Sequence, residues 1–244
     1  MNPRLLFMPL AASAALAQAA GGTINFESIP NGSPSDQLAI SSQFQATFGV
    51  AFSTSVGGTP YIESTGGKDV GYGFLYGPSD LQDTAVPGFE SQLGSFYLRF
   101  GTTNLLVAPV PSLLINYSIP VSAASAQIWD IDSNSKGTEK WRIDALGSSS
   151  NVLASVLSPV GLVYTDPASL DGKPWTWSFD RGVASDIYAI RVSFVGTKTT
   201  DIGLAFDNFS PSSPVPELPT NSLLALGFLA AAGVRRRARA RAGQ

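Results

Sequence analysis

The stretch "DIDSNSKGTE" packs oxygen-bearing side chains densely: Asp130, Asp132, Asn134 and Glu139, with Gly137 between the last two. Alternate residues of an extended segment face one side. Asp130, Asp132 and Asn134 can therefore aim hard oxygen ligands together, as calcium requires, with Glu139 closing the set. The spacing is not that of an EF-hand, because the glycine falls late and the glutamate early. The alternative reading of the same residues is a solvated turn in which Asp and Asn cap their own backbone.

A second chemistry is sugar stacking on exposed aromatic faces. Trp175 and Trp177 share a face with Phe179 in "WTWSF", which is the pattern of a buried strand face, while Trp129 and Trp141 stand beside charged neighbours. Tyr61, Tyr72 and Tyr76 fall in the glycine-rich "PYIESTGGKDVGYGFLYGPSD", a surface loop. A glycosidase would need two carboxylates facing a cleft at a set separation. Asp130 and Asp132 are the nearest approach to that, without a supporting motif. The chain has no histidine and no cysteine, which excludes Ser-His-Asp triads, thiol nucleophiles and Cys/His zinc sites. No catalytic set emerges, and a non-enzymatic protein is the expectation.

The elements that must position these residues read as strands. Short alternating stretches are separated by Gly, Asn, Asp, Ser and Pro clusters between Gly22 and Ser212. "TINFE" aligns Ile24 with Phe26, "WRIDA" aligns Trp141, Ile143 and Ala145, "IYAIRVSFVG" aligns Ile190, Val192 and Phe194, and "GLAFDNF" aligns Leu204 with Phe206. One short helix is expected within Asp36 to Phe48. The fold class is all-β, an antiparallel β-sandwich over residues 22–212. Without Arg4, the five tail arginines and Glu217, 9 basic and 17 acidic residues remain, a body charge of −8 against −3 for the chain. Nucleic acid is excluded as a partner by that balance.

Both ends read as processing segments. Residues 1–20 combine Arg4, an apolar run from Leu5 to Ala17 and small residues at Ala17 to Ala19, the layout of a signal peptide for signal peptidase and the export machinery. Residues 213–244 contain Val215, Pro216 and Glu217, then an apolar helix over 219–234, then Arg235, Arg236, Arg237, Arg239 and Arg241. The positive-inside rule puts those arginines in the cytoplasm and the body outside the inner membrane. The span is short for a permanent transmembrane helix, which suits a transient inner-membrane intermediate.

The order of motif, apolar helix and terminal arginines resembles the PEP-CTERM sorting signal of Gram-negative bacteria. The family's Val-Pro-Glu-Pro is matched at Val215, Pro216 and Glu217 and departs at Leu218, with a proline at Pro219. The resemblance implies an exosortase as partner and delivery to the cell envelope or extracellular polysaccharide. A plain C-terminal anchor is the competing reading, and "LPTNS" at Leu218 to Ser222 only partly matches a Gram-positive sortase motif.

Residues Val121 to Pro211 resemble the jelly-roll domains that accompany this signal and that are similar in architecture to carbohydrate-binding modules. In calcium-binding members a glutamate on the first strand and an aspartate on the last share one ion, which that resemblance carries over to Glu27 in "NFES" and Asp207 in "FDNF". The combined expectation is an exported, non-enzymatic β-sandwich that binds glycan, with or without calcium as a cofactor. A carboxylate-based polysaccharide-processing enzyme and a purely structural matrix protein are the alternatives.

Overall fold

The computed structural model describes residues 22–66, 84–100 and 107–211. The signal segment, Tyr72, Tyr76 and the sorting segment with its motif, apolar helix and arginines lie outside the described residues. Along the chain run α1 (Gln45–Phe48), β1 (Val50–Thr54), β2 (Tyr61–Ser64), α2 (Glu90–Leu93), β3 (Phe96–Arg99), β4 (Leu113–Val121), β5 (Ala123–Trp129), β6 (Ser133–Asn134) and β7 (Gly137–Thr138). Then follow β8 (Trp141–Leu146), β9 (Val152–Leu157), β10 (Trp175–Asp180), β11 (Ile187–Phe194) and β12 (Ala205–Ser210). Among the described residues no helix is long and apolar enough to cross a membrane.

The fold is all-β, a sandwich of two five-stranded antiparallel sheets ordered β1-β4-β11-β8-β9 and β10-β5-β12-β3-β2. Period-two alternation gives each sheet an apolar inner face, and both faces feed one core. Trp141, Ile143, Ala145, Ile190, Val192, Trp177, Phe179, Leu204 and Phe206 are all buried there, as the sequence pattern predicts. Phe194 and Trp175 are half-buried and pack against its edge. Phe26, Phe44, Phe52 and Phe209 meet mostly edge to face at centroid separations near 6 Å, and each such ring contributes about 1.5–3 kcal/mol by burial.

One local expectation differs. Ile24 and Phe26 are buried but form no full strand: Ile24 makes a single bridge to Phe209, and Phe26 turns into the left-handed region at φ 57°. The short helix expected within 36–48 is α1, Gln45–Phe48; the residues before it spend their backbone groups covering sheet edges. Ile40 N donates to Pro60 O, Ile62 N to Leu38 O and Phe52 N to Ser41 O.

The two outward faces differ. That of the second sheet carries Trp129, Ala205 and Tyr97, which with Ala85 and Leu93 form a second buried cluster beneath α2 and its flanks. On the outward face of the first sheet, Arg142 and Arg191 reach solvent.

Candidate functional site

Glu27 and Asp207 are brought together by the pairing of the first described segment with β12. Ile24 N donates to Phe209 O (2.7 Å) and Phe209 N to Ile24 O (2.9 Å). The left-handed turn at Phe26 then throws Glu27 toward α2, where its Oε1 accepts from Ser95 N (2.6 Å) and Phe96 N (2.9 Å). Gly94 closes α2 at φ 69°, and any Cβ on it would strike the Glu27 carboxylate, so both its conformation and its emptiness are required.

Asp207 faces outward from β12 and is only 1% exposed. The register between β12 and β5 shifts after Asp207, and Asn208 adopts φ 51°, so its amide N donates to Asp207 Oδ1 at 2.7 Å. Burial pushes the Asp207 carboxyl up to about 9; that N–H opposes the rise, and the nearby Glu27 charge adds to it. Among the described residues no basic side chain offsets its charge. Asn208 Nδ2 donates to the Gln92 carbonyl (2.7 Å) and to Gln127 Oε1 (2.8 Å), and lies 3.5 Å from Asp207 Oδ2. A backbone carbonyl, a carboxamide oxygen and a carboxylate oxygen thus converge on the Asn208 amide nitrogen, which occupies them as a donor. Oxygens of these kinds are calcium ligands, and a cation there would have to take the place of the Asn208 amide.

The cluster around "DIDSNSKGTE" is built differently. Asp130 ends β5 in the left-handed region at φ 62°, which turns the chain so that Ile131 bridges Leu170 and Asp132 bridges Leu162. Lys198, buried, places its Nζ 2.5 Å from Asp132 Oδ1 and 3.0 Å from Glu139 Oε1. Glu139 Oε1 also accepts from Gly203 N at 3.2 Å. Asn134 is not part of this group; its Oδ1 accepts from Lys136 N (2.8 Å) in the β6–β7 turn, the Asx cap that the alternative reading expected. Gly137 serves close approach, since a Cβ there would lie 2.6 Å from Lys198 N.

Burial drives Asp130 well above the carboxylate range, and Asp132, Glu139 and Asp171 reinforce it against the pull of Lys198. Glu139 is pushed to about 8 by burial, with Lys198 opposing. Burial alone would lower Lys198, but Glu139, Asp130 and Asp132 outweigh it and keep the ammonium charged. The group therefore contains its own cation. Among the described residues no three acidic, His or Cys side chains form a metal-holding group.

Sequence reasoning missed Lys198, since "GTKTTD" carries no spacing signal, and it missed Gln92, Gln127 and Asn208, which converge only through strand pairing. Trp129, Trp141 and Trp177 are buried with indole N–H groups unpaired, so none is a surface platform. Tyr61 sits half-buried on β2.

No family model matches the sequence, and no curated protein matches it. Among solved structures, the chain is similar to the K2 cleaved adhesin domain of Lys-gingipain at 11% identity and a TM-score of 0.42, covering 78% of this chain and 98% of that one. It is also similar to the enzymatically active domain of tailspike protein 4 from bacteriophage CBA120, at 16% identity and a TM-score of 0.31. That match covers 77% of this chain and 21% of the other.

Proposed function

We propose that this chain is an exported, non-enzymatic β-sandwich module of jelly-roll type that binds glycan and is braced by calcium between its first segment and its last strand. Its C-terminal segment is the substrate of an exosortase, which delivers the body to the cell envelope or extracellular polysaccharide. The observation that carries the calcium reading is Asp207, a buried carboxylate whose charged neighbour among the described residues is another carboxylate, Glu27. With the Asn208 amide turned aside, Glu27, Asp207, the Gln92 carbonyl and Gln127 would hold the ion, which would supply the positive charge that Asp207 lacks. By joining residue 27 to residue 207 the ion would clamp the two ends of the sandwich.

Melting in calcium against EDTA at pH 8 tests this. At a calcium concentration near one hundred times Kd the gain is about 2.7 kcal/mol, or roughly 5–10 °C for a body of this size. Asp207→Asn should abolish the response, and equal melting curves for the wild-type protein would overturn the site. Sorting is tested by the intact mass of protein recovered outside the host cell. A species from near Ala20 to near Pro216 or Glu217 is expected, and one retaining Arg241 would overturn it.

A further inference from the structure

The outward face of the first sheet carries a charge arrangement that the calcium site does not use. Its five strands contain three charged residues, Arg142 and Asp144 on β8 and Arg191 on β11, a net charge of +1 in a body whose charge is −8. The strands of the second sheet carry Glu63, Arg99, Asp180 and Asp207, a net −2. The positive face is thus local and opposite in sign to the rest.

The arginines are held, and they are held from below. Asp144 has no solvent exposure in its side chain, and its Oδ2 accepts from Arg191 Nη2 (2.7 Å) and both Nε atoms, with Arg142 Nη2 3.0 Å away as an ion pair. Ser155 Oγ on β9 donates to Oδ1 at 2.5 Å. The arginine side chains are 42% and 29% exposed, and among the described residues the network leaves Nη1 of each unused. A single carboxylate beneath two arginines fixes both forks and leaves one positive charge in excess, an arrangement suited to a second carboxylate arriving from solvent. Strand register sets Leu157 opposite Arg142 and Val152 opposite Leu146, and these two side chains are 51% and 49% exposed at the sheet's edge. They offer aliphatic support to the C–H face of a sugar ring next to the arginines.

We infer that Arg142 and Arg191 form an anion subsite for the carboxylate of an acidic polysaccharide lying across β8, β9 and β11. This rests on the glycan-binding reading above and names its substrate class as uronate-containing. Titration calorimetry of the full chain with a soluble oligogalacturonate, and with the same oligomer after its carboxyls are reduced to alcohols, tests it. The acidic oligomer should bind at least about tenfold more tightly, with an affinity that falls as salt rises. Arg142→Gln with Arg191→Gln should erase the difference. Because that variant strands Asp144, the triple variant that adds Asp144→Asn, with an unchanged melting temperature, serves as the folded control and should behave alike. Equal affinity for the two oligomers, or preference retained in the triple variant, would overturn the subsite while leaving glycan binding standing. Binding of neither oligomer would overturn the glycan reading with it.

Discussion

Asp144 and Asp207 occupy matching places in the two sheets, each on an outward face and each shut off from water, yet their acidities move in opposite directions. Burial raises both. At Asp144 the bonds from Ser155, Arg191 and Arg142 outweigh burial and hold the carboxyl below its usual range. At Asp207 one backbone N–H is all that opposes, and the carboxyl rises to about 9. The difference lies in possession of a cation. The first sheet supplies its own from neighbouring strands, and the second must take one from solution or keep a proton.

Removing the cation where the fold does provide one should reproduce the predicament of Asp207 in its severest form. Lys198→Ala leaves Asp132 and Glu139 without their ammonium and should lower stability by about 3–5 kcal/mol in urea titration. A loss below about 1 kcal/mol would mean that the acids simply stay protonated and that the comparison fails for coupled groups. The pH dependence comes next. Because the folded pKa of Asp207 lies above its unfolded value, its contribution is full below about pH 4 and is lost as pH climbs toward about 9. In EDTA the melting temperature should fall across that range, and Asp207→Asn should flatten the fall. An unflattened slope would assign the dependence to Asp130 and Glu139, which shift the same way.

Gly94→Ala should cost about 1–3 kcal/mol, from a strained backbone and from displacement of Glu27 off its two amides, and should weaken the calcium response with it. Asp144→Asn should cost about 1 kcal/mol at neutral pH, since solvent around the guanidiniums screens the pair. The sign is opposite here: the Asp144 contribution is present above about pH 4 and lost as pH drops through its depressed folded value, so the variant should lack that acid-side loss. Smallest is Asp186→Asn. Asp186 is paired with Arg181 at 2.7 Å at the surface, where both side chains are partly exposed, and no change in melting temperature is expected. A measurable shift there would show that pairing matters without burial.

Strand content was legible because period-two apolar alternation reports directly on a face that must leave water. "WRIDA" and "IYAIRVSFVG" needed no partner to be read, and their inner residues are fully buried except for Phe194 at the core's edge. "TINFE" misled because alternation does not reveal that Phe26 is left-handed. At the candidate sites, the carboxylates were visible as residue types, and the resemblance paired Glu27 with Asp207. Lys198 was not visible, because its partners lie 59 and 66 positions away and a lone lysine between threonines has no pattern.

By itself the sequence determined the class of the body, the inward faces of its strands, the absence of histidine and thiol chemistry and the acidic balance, since all of these follow from local periodicity and inventory. Only the tertiary structure decided which carboxylate meets which cation. Asp144 found two arginines, Asp132 and Glu139 found Lys198, and Asp207 found, among the described residues, the neutral N–H donors of Asn208 and a second carboxylate, Glu27. Electrostatic energy depends on separation in space and on the water excluded between charges, and neither is written in the spacing of residues along a chain.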